Sequence, residues 1–91
     1  MLQRLGKRGI LIVRIEPDGP ASQAGFQPTL RDRQGNIILG DIILAINDKQ
    51  VDEMNELSIA LERYKPGDTV KVTLDRHDQI VETDLVLGQA R

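Results

Sequence analysis

His77 is the only histidine in the 91 residues, and it stands among Asp75, Arg76 and Asp78 in a stretch with the composition of a turn. An isolated imidazole there reads as a solvated turn residue. A serine nucleophile needs an imidazole to take its proton and a carboxylate to orient that imidazole. Ser22 and Ser58 have no histidine placed to activate them. The absence of cysteine removes thiolate nucleophiles, thiolate metal sites and disulfides. Carboxylates are plentiful, but Glu53, Glu56 and Glu62 read as the solvated face of a helix. No two of them share an apolar setting that would drive their pKa values apart. Gly35 to Gly40 lacks the Gly-Lys-Ser/Thr ending of a phosphate loop and leads into a strand, whereas anion binding uses a helix N-terminus. No His/Asp/Glu cluster has metal-ligand spacing. No catalytic residue, metal ligand or cofactor site is therefore assigned, and a non-catalytic domain is expected.

Composition narrows the partners in the same direction. One Tyr, one Phe and no Trp leave no platform of stacked aromatics, and a net charge of −2 offers no basic surface for phosphates, so no nucleic acid is expected. With 40% hydrophobic and 29% charged residues the chain reads as globular, with a core built from Ile, Leu and Val. No apolar run approaches the roughly 20 residues that span a bilayer, so no membrane insertion is expected. Met1 to Ile15 has scattered Lys and Arg and no apolar core of a leader. The compartment stays open, since the chain could be cytosolic or a domain of a longer exported protein.

The elements that must position any site follow from patterning. Ile42 to Ile46 is a continuous apolar run between Gly40-Asp41 and Asn47-Asp48, which predicts a short strand buried on both faces. The rest of the chain must pack on it. Gly9 to Ile15 is rich in β-branched residues and ends in the turn cluster Glu16 to Gly19, which predicts a first strand. Pro20 to Gly25 predicts a short helix, with Pro20 at the first position, Gly25 just past the end and Phe26 folding back on it. Gln27 to Gly35 reads as a polar loop, and Asn47 to Gln50 as a tight turn. Asp52 to Tyr64 is the one clear helix, with Asp52 as N-cap and a stop at Pro66-Gly67. Leu57, Ala60, Leu61 and Tyr64 form one apolar stripe along it, and Met54, Ser58 and Leu61 run beside that stripe. Val70, Val72 and Leu74 alternate with polar residues, turn at Asp75 to Asp78 and return through Ile80 to Leu87, a hairpin with one wet face. The expected fold class is α+β, a mostly antiparallel, partly open β-sandwich or barrel capped by one short and one longer helix. Residues 1–8 are a lead-in, 9–88 the domain and 89–91 a tail.

Six pieces in order carry a more specific likeness. Gly9-Ile10-Leu11-Ile12-Val13, Pro17-Asp18-Gly19-Pro20-Ala21, Ala24-Gly25-Phe26, Leu39-Gly40-Asp41-Ile42-Ile43, Ile46-Asn47 and Lys65-Pro66-Gly67-Asp68 resemble a PDZ domain. More closely they resemble the PDZ domains of HtrA/Deg-type serine proteases, with the insert Thr29 to Leu39 similar to the plant and bacterial Deg branch. The likeness spans residues 9 to 87. Where the family usually has Gly after Ile46-Asn47, this chain has Asp48, which implies some turn strain.

The resemblance implies a module that binds an extended or C-terminal hydrophobic peptide, or an unfolded segment, as an added strand beside the long helix. Met54, Ser58 and Leu61 match the positions that face the peptide, with Leu57 at the boundary between groove and core. A preference for small or aliphatic terminal side chains is expected. In HtrA-type domains the carboxylate-binding loop and the receiving strand precede the strand matched by Gly9 to Ile15, so this chain is expected to begin after them. Leu5-Gly6 has the composition of that loop, but the spacing leaves no room for a receiving strand, and it reads as linker. The protease triad would lie outside these residues, in a periplasmic, cell-envelope or thylakoid-lumen enzyme. An alternative is an assembly domain that forms homo-oligomers by pairing through an exposed sheet edge.

Overall fold

The computed structural model describes residues 8–88. Its elements are β1 (Ile10–Leu11), α1 (Pro20–Gln23), β2 (Leu30–Arg31), β3 (Ile37–Ile38), β4 (Ile42–Ile46), β5 (Lys49–Gln50), α2 (Met54–Glu62), β6 (Thr69–Arg76) and β7 (Gln79–Val86). Every strand pair is antiparallel. The main sheet runs β1-β4-β6-β7 with β5 also on β4, and β2-β3 forms a separate arm. The sheet is open, so the expected class holds. Leu5-Gly6 lies outside the described residues.

β6 is the centre of the core. Val70, Val72 and Leu74 face inward and are fully buried, as their alternation with polar residues requires. They join Ile12, Phe26, Ile46, Val51 and Ala60 in one cluster, with Leu57, Leu61 and Tyr64 of the α2 region packed against it. β4 sits where its apolar run placed it, but it is not buried on both faces. Ile42 and Ile46 are buried, while Ile43, Leu44 and Ala45 are half-buried. A bulge between Ile43 and Ala45 lets Ile43 pair with Leu74 and Ile46 with Val72, so both end up facing the core. Its other neighbours, β1 and β5, are two residues each and leave the middle partly open.

The first strand is much shorter than Gly9 to Ile15. At Ile12, opposite Asp41 in the same register, only half of the next rung forms. Ile12 donates its N–H to the Asp41 carbonyl, and its own carbonyl accepts both the N–H and the hydroxyl of Thr29. Gln27 to Gly35 is likewise not a simple loop. Leu30 and Arg31 pair with Ile38 and Ile37, closed by Asp32, whose carboxylate accepts from Gln34 and Asn36 N–H. Two-residue strands leave no period to read, which is why composition hid them.

The short helix has the expected punctuation. Gly25 takes φ +82°, its N–H donates to Ser22, and the Phe26 N–H donates to Ala21, the paired bonds of a Schellman ending. Phe26 is thereby folded into the core. Asn47 to Gln50 is a hairpin rather than a turn alone, because Lys49 and Gln50 pair back on Ile46 and Ala45. The positive φ falls on Asn47, not Asp48, so the expected strain at Asp48 is absent. The long hairpin tip is two residues, His77 and Asp78, both at positive φ, with Arg76 paired to Gln79.

Candidate functional site

α2 begins one residue later than the sequence suggested, with Glu53 rather than Asp52 at the N-cap. The cause is Glu56. Its carboxylate accepts the N–H groups of both Asp52 and Glu53 at 3.1 Å, which holds Asp52 outside the helix. Glu56 is therefore a capping residue on the charged flank of the helix.

At about 100° per residue, Ala60 marks the centre of the buried side. Ala60 is the one buried residue of α2 and its small side chain lets the helix approach the sheet closely. Leu57 lies about 60° from it on one side, and Leu61, Met54 and Ser58 follow at about 100°, 120° and 160°. The four form a continuous uncharged strip running from core to solvent. Met54 is 62% exposed, Ser58 is exposed, and Leu57 and Leu61 are half-buried. On the other flank Ile59 stands among Glu56, Glu62, Arg63 and Asn55. The first flank is uncharged along these four residues, whereas Ile59 is bordered by charge. Leu57 and Leu61 also belong to the shell packed on the core, so each serves the fold as well.

The residues that could have done acid–base chemistry are not brought together. Ser22 is on α1, Ser58 on α2 and His77 at the β6–β7 tip, and among the described residues no hydrogen bond joins either serine to His77. His77 borders a shallow pocket of about 150 Å³ with Leu39, Gly40, Ile42, Asp75 and Asp78. That is below the usual size of a small-molecule site, roughly 300 Å³ upward. Among the described residues no cluster of His, Asp or Glu could hold a metal ion, and no helix is long and apolar enough to cross a membrane.

The strongest electrostatic feature is structural, and the sequence reading did not single it out. Asp41 is fully buried, and Arg76 grips its carboxylate with two bonds, Nε to Oδ1 at 2.8 Å and Nη2 to Oδ2 at 2.7 Å. The Gln27 N–H donates to Oδ2 at 3.0 Å, and Arg76 also donates to the Gly25 carbonyl. Burial pushes the Asp41 carboxyl up, but the Arg76 hydrogen bonds and charge, with the Gln27 amide, outweigh it and hold the group below its ordinary value. Those same bonds raise Arg76 further. Gly40 completes the crossing, since a Cβ there would stand 2.3 Å from the Gln27 carbonyl oxygen and 2.4 Å from the Pro28 carbonyl carbon. The pair thus ties the hairpin to the α1 ending and to the start of β4, the strand on which α2 packs.

Comparison with known proteins agrees with this architecture. The pattern of the PDZ domain family matches residues 2–87. Protease Do-like 1, chloroplastic, of Arabidopsis thaliana is 40% identical over 77 residues, covering 85% of this chain and 18% of that protein. Protease Do-like 8, chloroplastic, of the same plant is 37% identical, covering 91% of this chain and 18% of its own length. The serine protease Do-like HtrA of Lactobacillus helveticus is 31% identical, covering 89% of this chain and 17% of its own length. The chain thus spans under a fifth of each of these relatives. With its open antiparallel sheet, its two helices and this match over nearly all of its length, the chain belongs to the PDZ domain family, in the form that HtrA/Deg-type proteases carry.

Proposed function

We propose that this chain is the peptide-binding PDZ module of an HtrA/Deg-type serine endopeptidase, and that it recruits extended or C-terminal hydrophobic segments along α2. The observation that carries the reading is the uncharged strip Met54, Leu57, Ser58 and Leu61 on one flank of α2, opposite a charged flank around Ile59. Met54 is suited to a pocket for varied small or aliphatic side chains, because its thioether is unbranched and soft. Proteolysis would rest on residues outside this chain. The names of relatives place them in the chloroplast or, for DegP-like proteins, the periplasm, and an exported or organellar location is proposed here too. Assembly into homo-oligomers through the β1 edge has less support, since β1 offers only Ile10 and Leu11.

The test is an NMR titration of the labelled 91-residue chain with a short peptide ending in an aliphatic residue, as the free acid and as the amide. Amide shifts along Met54 to Leu61 are expected. Met54→Asp should weaken binding about tenfold, the loss of one apolar contact of between 1 and 2 kcal/mol. Ile59→Asp, on the charged flank, should leave affinity unchanged. Equal effects of the two substitutions, or an unchanged affinity in Met54→Asp, would remove the groove from this face of the helix.

A further inference from the structure

β7 ends the strand order, and its outer edge carries a regular code. The backbone orientation follows from β6. The Lys71 carbonyl accepts the Asn47 N–H, and the Lys71 N–H donates to the Asn47 side chain, so Lys71 points its backbone toward β4. Alternation then turns Val70, Val72, Leu74 and Arg76 toward β7, where they meet Leu85, Thr83, Val81 and Gln79. The bonding of Leu87 with Asp68 and Gly67 continues the same parity. Ile80, Glu82, Asp84 and Val86 therefore direct their N–H and C=O groups outward. No hydrogen bond among the described residues uses these outward groups. The side chains of the same four residues are all exposed, Ile80 at 66% and Val86 at 55%. Neither Glu82 nor Asp84 has an ion pair among the described residues, although Lys71 stands across the ladder from Asp84.

We propose that this edge is a second strand-acceptor site, distinct from α2, for an extended segment of the pattern apolar-x-basic-x-basic-x-apolar. The basic residues would stand opposite Glu82 and Asp84, the apolar ones opposite Ile80 and Val86. The intervening positions would cover Val81, Thr83 and Leu85, which are half-buried on the inner face. The pattern reads the same in both directions, so charge matching does not depend on strand polarity. A second copy of this chain is the wrong occupant. Two-fold antiparallel pairing centred on Thr83 sets Glu82 against Asp84 of the copy, and centring on either acidic residue sets it against itself. Like charges directly opposite are destabilising. Centring on Val81 or Leu85 instead sets an acid against an apolar side chain, so no two-fold register pairs the two acids favourably, whereas a basic strand complements both.

The probe is the blocked peptide Val-Thr-Lys-Thr-Lys-Thr-Val, with Glu in place of Lys as control and no free carboxylate to engage α2. NMR titration of the 91-residue chain should shift the amides of Ile80, Glu82, Asp84 and Val86, with the Lys peptide preferred by about tenfold or more. The double variant Glu82→Lys, Asp84→Lys should reverse that preference. Raising salt to about 1 M, where screening acts within about 3 Å, should remove it in the unaltered chain, a check that needs no variant. Equal affinity for both peptides, no binding at all, or shifts confined to Met54–Glu62 would overturn the proposal. So would dimerisation of the chain through β7.

Discussion

Replacing Arg76 with Met should invert the pH dependence of stability in this domain. In the native chain the Asp41 carboxyl is held below its unfolded value near 3.8. A depressed pKa gives stability that is present above the unfolded value and lost as pH falls through the folded one. Between about pH 5 and 7 this group therefore adds no slope. Met keeps most of the aliphatic length of Arg but leaves the buried Asp41 with the Gln27 N–H as its one remaining hydrogen-bond donor among the described residues. The folded pKa of Asp41 should then rise above its unfolded value. Such a group gives stability that is complete below the unfolded pKa and lost as pH rises toward the folded one.

Breaking a buried ion pair from one side costs about 3–5 kcal/mol. The Arg76 side chain is 27% exposed, so part of the interaction is already screened, and about 2–3 kcal/mol is expected at pH 7. For a domain of this size that is a drop of roughly 10–20 °C in Tm. At pH 4 much of the loss should be recovered, because the stranded carboxylate takes a proton instead. Urea unfolding followed by far-ultraviolet circular dichroism at pH 4, 5, 6 and 7 measures this directly. Adding Asp41→Asn to Arg76→Met should recover stability at pH 7, since a neutral amide can still accept from Gln27. If Arg76→Met loses the same stability at pH 4 and pH 7, or less than about 0.5 kcal/mol at either, Asp41 does not depend on this partner and the reasoning fails.

Substitutions at three further positions test other joints of the fold by the same urea assay. Gly40→Ala should cost about 3 kcal/mol or more, because its Cβ would meet the backbone of Gln27, Pro28 and Thr29 inside 2.7 Å; Gly25→Ala, where the added Cβ meets nothing within 4 Å and only φ +82° is strained, should cost about 1 kcal/mol. Glu56→Ala should cost about 1 kcal/mol by freeing the N–H groups of Asp52 and Glu53, and Glu56→Gln should keep most of the cap.

What was legible in the sequence was whatever repeats. The alternation of Val70, Val72 and Leu74, the stripe Leu57, Ala60, Leu61 and Tyr64, and the Pro20 to Gly25 punctuation each correspond to an element in place. What escaped was set by single contacts. The strand at Gly9 stops at Leu11 because Thr29 captures the Ile12 carbonyl, a contact 17 residues away that no local pattern encodes. The β2-β3 arm depends on the Asp32 turn, and the start of α2 on the reach of Glu56. Arg76 carried a signal that went unused. It has the same parity as Val70, Val72 and Leu74, so the inward face of that strand ends in a guanidinium. A cation on an inward parity demands a buried anion, and Asp41, beside the most apolar run of the chain, was the acidic residue placed to supply it.

That pairing separates what holds the fold from the strip on α2 proposed above to meet a peptide. The groups whose loss costs most, the inward side chains of β6 and the Asp41–Arg76 pair, belong to the sheet and its crossing loops. The strip on α2 draws on that core only through Leu57 and Leu61, while Met54 and Ser58 lie outside it. Substitution at an exposed position away from such contacts usually changes stability by less than about 0.5 kcal/mol. Met54 and Ser58 can therefore be substituted without endangering the fold, whereas Leu57 and Leu61 cannot. Under the proposed function, the preference of the strip can change residue by residue at the solvent side of the helix. On the same proposal, the side toward the sheet fixes where the segment lies.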